Sequence, residues 1–156
     1  MHPTMNTKII SAFPGTGKSV YFQKNPQKTL DSDSSNWSWA YEGTNRVRHP
    51  DFPSNYIKHI KENMGKYDVI LVSSHAEVRK ALLDNDIFFY LVYPDPTRKE
   101  EFLERYRNRG NPDGFIQLIE KNWDNWMEEV EKPQHGYEFI RMTHGNLEDV
   151  IIGIME

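Results

Sequence analysis

The 156 residues are enough for one domain but not for two independent folds. Hydrophobic residues make up 37% and aromatic residues 13%, so the chain can form a core, which argues against a disordered protein. The net charge of -4 argues against duplex DNA or an anionic membrane as the main partner, because both bind a concentrated basic face. Cysteine is absent, and neither a secretory signal nor a membrane-length apolar run is visible. We therefore expect a cytoplasmic protein.

Short apolar runs alternate with helical patterns along the chain, which is typical of an α/β fold with a parallel sheet. Most of the runs are rich in Ile, Val, Phe and Tyr, as buried strands are. Five strands are predicted, at residues 7–13, 28–31, 67–73, 88–93 and 137–142.

Between the second and fourth strands, the sequence predicts an insertion and two helices. Residues 34–55 show little periodicity, and we expect them to be irregular. Ser54 is then expected to cap a helix. After the third strand, Ser74 and Glu77 form a capping-box pattern, which predicts a helix over residues 76–83.

Two consecutive helices are predicted after the fourth strand. The first begins at Asp95 or Thr97 and ends at Gly110. The second begins after Asn111 and ends at Pro133. We expect its apolar stripe to face the core; the stripe consists of Phe115, Leu118, Ile119, Trp123, Trp126, Met127 and Val130.

The first strand runs into the sequence AFPGTGKS, which matches the phosphate-loop pattern G-x-x-x-x-G-K-S except that Ala12 replaces the first glycine. Gly15 and Gly17 would let backbone N–H groups turn inward around phosphate oxygens. We expect Lys18 to bridge the β- and γ-phosphates of ATP and Ser19 to bind Mg²⁺. The predicted nucleotide-binding residues are Pro14, Gly15, Thr16, Gly17, Lys18, Ser19 and Val20.

With this motif between its first strand and first helix, the sequence resembles the P-loop kinase group of NTPases and looks like a small nucleotide or metabolite kinase. The resemblance covers nearly all of a single domain, residues 1–156. It implies a three-layer fold with helices on both faces of a five-stranded parallel sheet in the order 2-3-1-4-5. It also implies an acceptor-binding insertion at residues 34–66 and a helical lid with its following helix at residues 95–132.

Two carboxylates, Asp31 and Asp33, come at the end of the second strand, and strand ends at this edge of a parallel sheet face the ligand crevice. Shikimate-kinase-like enzymes have a similar Asp-x-Asp. By that resemblance Asp31 would serve Mg²⁺ and Asp33 would meet the acceptor or act as base. An ordinary Asp-Ser turn is the alternative. The third strand ends in Ser73 and Ser74 rather than in the aspartate of a Walker B strand.

Arginines supply the candidate groups for neutralising a transferred phosphoryl group. Arg105 and Arg109 share one face at the end of a predicted helix, whereas Arg107 points elsewhere. The alternative is a solvated basic helix terminus. In the insertion, Arg46 and Arg48 are candidate ligands for an acceptor phosphate, although the neighbouring aromatic residues could instead form a small core.

The expected function is a Mg²⁺- and ATP-dependent phosphotransferase that acts on a nucleoside or deoxynucleoside monophosphate, because arginines suit a phosphorylated acceptor. Asp33 suits a hydroxyl, so a kinase of a nucleoside, sugar or other small polyol stays open. A nucleotide-binding regulatory protein without phosphotransfer also stays open. The acidic balance lacks the basic track of a nucleic-acid partner. The candidate catalytic residues are Lys18, Asp33, Arg105 and Arg109.

Overall fold

The computed structural model describes residues 7–132 and 135–155. Along the chain the elements are β1 (Lys8–Ala12), α1 (Lys18–Lys24), β2 (Thr29–Ser32), α2 (Ser35–Ser38), β3 (Trp39–Glu42), β4 (Asn45–Arg48), α3 (Ser54–Asn63), β5 (Val69–Val72), α4 (Ala76–Asp84), β6 (Phe89–Pro94), a 3₁₀ helix (Pro96–Arg98), α5 (Lys99–Asn108), α6 (Asp113–Val130), β7 (Tyr137–Met142) and α7 (Leu147–Met155). No helix in these two ranges is both long and apolar enough to cross a membrane.

Five strands form a parallel sheet in the order β2-β5-β1-β6-β7. Counted within this sheet alone, the order is 2-3-1-4-5, which is the expected one. All four residues of β5 are buried, as are Ile9 and Ile10 of β1. Because neighbouring strand residues point to opposite faces, such strands must be covered on both faces. The fold is therefore α/β, with helices flanking the sheet.

The strand order creates a crevice at one edge of the sheet. From β1 the chain passes to β2 at one side, returns to β5 beside β1, and then crosses to β6 on the other side of β1. All five strands are parallel, so their carboxyl ends lie at the same edge. Ligands of open α/β sheets bind where the order reverses in this way. Here that position lies between the ends of β1 and β5.

The insertion after β2 is more regular than the sequence predicts. The short helix α2 leads into an antiparallel hairpin of β3 and β4, in which Trp39 pairs with Arg48 and Tyr41 with Arg46. Gly43 turns the hairpin with a φ of +66°. The expectation of an irregular segment was wrong because each strand has only four residues and the face carrying these side chains is mostly polar. Neither property produces a visible apolar period.

Three details of the helices also differ from expectation. The capping box was wrong: His75, not Ser74, precedes α4, no side chain caps that helix, and Glu77 instead binds Arg48. Ser54 is the first residue of α3 and does not cap it. In α6 the stripe is turned slightly, so that Ile116 is buried and Leu118 is half exposed. The expected helix stop at Pro133 lies outside the described residues.

The helical region after β6 is anchored in the core rather than lying loosely over it. Phe102, Leu103 and Tyr106 of α5 are fully buried. Trp123 of α6 is also fully buried, and its indole N–H donates to the carbonyl of Pro96 at 3.0 Å. Each of these large side chains stabilises the fold by about 2 kcal/mol through apolar burial. Helix α5 is thereby held beside the end of β1.

Candidate active site

The loop between β1 and α1 depends on two glycines for different reasons. Gly15 has a φ of +87° and Gly17 a φ of +107°, a conformation that strains other residues. A Cβ atom on Gly15 would also lie 2.8 Å from Cε1 of Tyr106. Gly17 directly precedes α1 and forms its N-cap. The sequence motif therefore corresponds to a tight loop whose backbone only glycine fits.

The loop directs its polar backbone groups in two directions. The carbonyl of Pro14 accepts a 2.7 Å hydrogen bond from the Tyr106 hydroxyl, and the carbonyl of Gly15 accepts one of 2.7 Å from Arg105. Because C=O and N–H point opposite ways in a trans peptide, the N–H of Gly15 points away from Tyr106. Within the described ranges, no hydrogen bond engages the N–H groups of Gly15, Gly17, Lys18 and Ser19.

The polar groups of Thr16, one of the predicted nucleotide ligands, are all engaged within the protein. Its N–H and its hydroxyl both donate to the carbonyl of Phe13, at 3.3 Å and 2.9 Å. Its own carbonyl accepts from the N–H of Leu147 at 2.8 Å. Thr16 is fully buried, and these three hydrogen bonds stabilise the loop.

Lys18 carries the main positive charge of the loop. Its ammonium group donates to the carbonyl of Ala12 at 2.7 Å. Burial lowers the pKa of Lys18 from 10.5 to about 8, and Arg109 acts in the same direction, while the charges of Asp31 and Asp33 oppose the shift. The four charged groups are thus close enough to influence one another.

A cavity of about 820 Å³ opens at the carboxyl ends of β1, β2 and β5. Ten of the residues that the sequence predicts for the site line it: Pro14, Gly15, Gly17, Lys18, Ser19, Val20, Asp31, Asp33, Arg105 and Arg109. Thr16, Arg46 and Arg48 do not. The volume lies within the range of small-molecule sites.

The two carboxylates at the end of β2 have different surroundings. Partial burial raises the pKa of Asp31, although the Lys18 charge counteracts this effect. One carboxylate oxygen of Asp33 accepts the N–H of Ser35 at 2.9 Å, so the turn that the sequence suggested is present while the side chain still lines the cavity. No group of three acidic, histidine or cysteine side chains suited to a metal is found among the described residues. A cation here would need ligand oxygens besides those of Asp31 and Ser19.

At the end of β5, Ser73 and Ser74 occupy the place of the aspartate that ends a Walker B strand. The hydroxyls of Ser73 and Ser34 lie 2.8 Å apart, and the N–H of Ser34 donates to the Ser73 hydroxyl at 3.1 Å. The Ser11 hydroxyl donates to the Ser73 carbonyl at 2.9 Å. These bonds tie β1, β5 and the segment after β2 together beneath the cavity.

The three arginines at the end of α5, Arg105, Arg107 and Arg109, differ in their contacts. Arg105 donates to the carbonyls of Gly15 and Gly145 and pairs with Glu101. Arg107 turns away from the cavity and pairs with Glu104. Arg109 lines the cavity, and its guanidinium has no hydrogen-bond or ion-pair partner within residues 7–132 and 135–155.

The hairpin arginines are separated from the main cavity. Arg46 stacks 4.1 Å from the ring centre of Trp39. Arg48 pairs with Glu77 and lines a second cavity of about 340 Å³. Asp33 and His75 line both cavities and so mark their junction.

Four residues of the site are not among those that the sequence predicts for it. His75 lies at the cavity junction, Asn108 and Asn146 line the main cavity, and Tyr106 holds the loop. Tyr106 follows Phe102 by one helical turn, which marks a buried face but gives no hint of a bond to the loop. His75 and Asn146 follow the third and fifth predicted strands, where a residue can face the crevice, whereas Asn108 has no distinguishing pattern.

Compared with known proteins, the sequence matches no family model and no curated protein. The functional assignment of the cavity therefore depends on the residues that line it.

Proposed function

We propose that this protein is a P-loop phosphotransferase that transfers the γ-phosphoryl group of ATP, with Mg²⁺, to a nucleoside or deoxynucleoside monophosphate. The observation that carries the proposal is the convergence of Lys18, Asp31, Asp33 and Arg109 on one cavity beside the glycine loop. A loop with only a structural role does not require two carboxylates and two cations around a cavity, whereas such clusters are typical of functional sites.

The chemistry of the donor groups fits a bound nucleoside triphosphate. Among the described residues, the N–H groups of Gly15, Gly17, Lys18 and Ser19 have no protein partner and are suited to phosphate oxygens, and Lys18 lines the same cavity. Asp31 and the Ser19 hydroxyl offer hard oxygen ligands for Mg²⁺. Such an ion, when bound, neutralises phosphate charge during transfer.

The residues of the cavity would act mainly by positioning the phosphates and by offsetting their negative charge. Lys18 would hold the terminal phosphates at the loop. Arg109, whose guanidinium forms no ion pair or hydrogen bond with the described residues, would offset charge that develops on the phosphoryl group during transfer. Arg105 already has three acceptors and would act less directly.

The acceptor would enter from the smaller cavity, because Asp33 and His75 connect it to the donor side. Arg48, which pairs with Glu77, lines that cavity and would bind the phosphate of a phosphorylated acceptor. The same junction favours a second candidate function, phosphorylation of a hydroxyl on a nucleoside, sugar or other polyol. Within the part of the chain that the structure describes, one carboxylate oxygen of Asp33 has no hydrogen-bond donor, and it could accept the hydroxyl proton.

A coupled ADP-release assay with Mg-ATP and a panel of acceptors tests these functions. The panel would contain nucleoside monophosphates, nucleosides and small polyols, with Lys18→Met as the inactive control. ADP release with a monophosphate supports the main proposal, and release only with a hydroxyl compound supports the second. Mg-ATP binding without transfer to any acceptor would contradict both and favour a nucleotide-dependent regulator.

A further inference from the structure

Two loops at the cavity are held together by one helix. The carbonyls of Pro14 and Gly15 both accept hydrogen bonds from α5, and that helix is itself fixed in the core by Phe102 and Leu103. The segment after β7 joins the same assembly because the Gly145 carbonyl accepts from Arg105 at 3.3 Å. The shape of the phosphate loop therefore depends on side chains about 90 residues away in the sequence.

Glu101 lies at the centre of this arrangement. One of its carboxylate oxygens accepts from Arg105 at 2.9 Å and from Arg98 at 2.6 Å. The other accepts from Nε of Arg98 at 2.8 Å. Arg98 also donates to the Gly145 carbonyl at 3.0 Å, so both guanidinium groups share that oxygen.

The carboxylate charge is what makes this grouping stable. Two guanidinium groups around one carbonyl repel each other unless an anion lies between them. The hydrogen bonds and charge of Arg98, with those of Arg105, hold the pKa of Glu101 down at about 2, so Glu101 is ionised at all physiological pH values. Arg98 is buried and also donates to the Met142 carbonyl, so it has little freedom to move. Arg105 is partly exposed and would be the one to leave.

We propose that Glu101 is a positioning residue for the phosphate loop, because it holds the Arg105 guanidinium against the Gly15 carbonyl. If Arg105 leaves, the Gly15 carbonyl loses its partner, and the peptide units that turn the loop N–H groups toward the cavity lose a restraint. Glu101 does not line the cavity and acts only through Arg105. The consequence for nucleotide binding rests on the proposed function, whereas the restraint on the loop does not.

Glu101→Gln is the informative variant. Glutamine keeps the side-chain shape but offers one oxygen to three N–H donors, and its amide group would face a guanidinium. Glu104→Gln is the matched control, because Glu104 lies on the same helix and pairs with Arg107 on the exposed side. Both side chains are about half exposed, so both variants are expected to fold.

Hydrogen exchange of the unliganded protein tests the restraint without any nucleotide. We expect exchange of the hydrogen-bonded Thr16 amide, within residues 13–18, to be at least about threefold faster in Glu101→Gln than in the wild type, with β5 unchanged. Glu104→Gln should match the wild type in both segments. Unchanged exchange of residues 13–18 in Glu101→Gln would overturn the proposal.

Titration with Mg-ATP tests the functional consequence. We expect Glu101→Gln to bind about 5- to 10-fold more weakly than the wild type, in the range of a lost charge-assisted contact. The double variant Glu101→Gln/Arg105→Ala should bind no more weakly than Arg105→Ala alone, since Glu101 acts through Arg105. Equal binding by Glu101→Gln and wild type, or fully additive losses in the double variant, would contradict the proposal. A wild type that binds no Mg-ATP would instead refute the proposed function, while faster exchange in Glu101→Gln would still support the restraint.

Discussion

The Lys18 ammonium group donates a 2.7 Å hydrogen bond to the carbonyl of Ala12, six residues earlier, and so closes the loop on its own strand end. Ala12 is fully buried and occupies the position at which the phosphate-loop pattern has glycine. Alanine fits here because it lies in the regular strand β1 rather than at a positive φ. The departure from the motif therefore leaves the lysine and its loop intact.

Replacing Lys18 should make the protein more stable while it removes activity. Burial lowers the Lys18 pKa from 10.5 to about 8, which means that folding disfavours its charged form. Lys18→Met should therefore raise the free energy of unfolding at pH 7 by on the order of 1–3 kcal/mol, measured by chemical denaturation. Between pH 8 and 10.5 the unfolded wild type binds more protons than the folded wild type. The free energy of unfolding of the wild type should therefore increase with pH relative to that of Lys18→Met.

The control for this prediction is Lys24→Met, at the other end of α1. Lys24 is exposed and pairs with Glu148 on the surface, so its replacement should change stability by less than about 0.5 kcal/mol. A destabilised Lys18→Met protein would show that the lysine is a structural cation and would contradict the assignment.

Nucleotide affinity should fall at alkaline pH. Only the protonated Lys18 attracts phosphate, and with a pKa of about 8 that form becomes scarce above this value. The dissociation constant of Mg-ATP should be nearly flat from pH 6.5 to 7.5 and should then increase toward about tenfold per pH unit near pH 9.5. Calorimetric titrations measure this profile directly. Lys18→Met should bind weakly with a flat profile over the same range, and an equally steep rise in that variant would assign the effect to another group.

Substitution of Asp31 and of Asp33 should change different kinetic properties. Asp33→Asn should lower turnover by about 100-fold or more if the acceptor is a hydroxyl, because a base is lost. The decrease should be smaller for a phosphate acceptor, which needs no base. Asp31→Asn should instead raise the Mg²⁺ concentration required for half-maximal rate. Steady-state kinetics at varied Mg²⁺ would distinguish them, and identical effects of both variants would contradict separate roles.

Arg109→Ala should lower kcat by about 10- to 100-fold, while the KM for ATP changes by less than about threefold. The reason is that the Arg109 guanidinium, which lines the cavity, would offset charge that develops mainly in the transition state. Arg107→Ala is the matched control, since Arg107 faces Glu104 and not the cavity, and it should retain wild-type kinetics. Equal losses in kcat and in ATP affinity for Arg109→Ala would indicate simple ground-state binding.

The sheet could be predicted from the sequence because its central strands β1, β5 and β6 are short apolar runs, mostly buried and separated by helices. Their positions and their order agree with the structure. The hairpin of β3 and β4 could not be predicted, since Arg46, Arg48 and Tyr41 give its exposed face no apolar period. The capping box at Ser74 failed for a tertiary reason, because Glu77 is drawn to Arg48 of that hairpin.

At the candidate site, local sequence motifs predicted the loop and the carboxylates but not the side chains that hydrogen-bond to the loop. Gly15 and Lys18 lie in a contiguous pattern whose backbone requirements are readable. The bonds from Tyr106 and Arg105 to that loop join residues about 90 positions apart, and no local pattern encodes such a distance. For the same reason Arg105 and Arg109 looked equivalent in the sequence, whereas among the described residues Arg105 has hydrogen-bond acceptors and the Arg109 guanidinium contacts only the ring face of Tyr106.

Calorimetric titration of Mg-ATP into the wild type and into Lys18→Met at pH 7 tests the central claim most directly. The cavity should bind one Mg-ATP per chain in the wild type, and Lys18→Met should bind at least about tenfold more weakly despite a higher melting temperature. No binding by the wild type, or equal affinity in the two proteins, would contradict a phosphate site at Lys18.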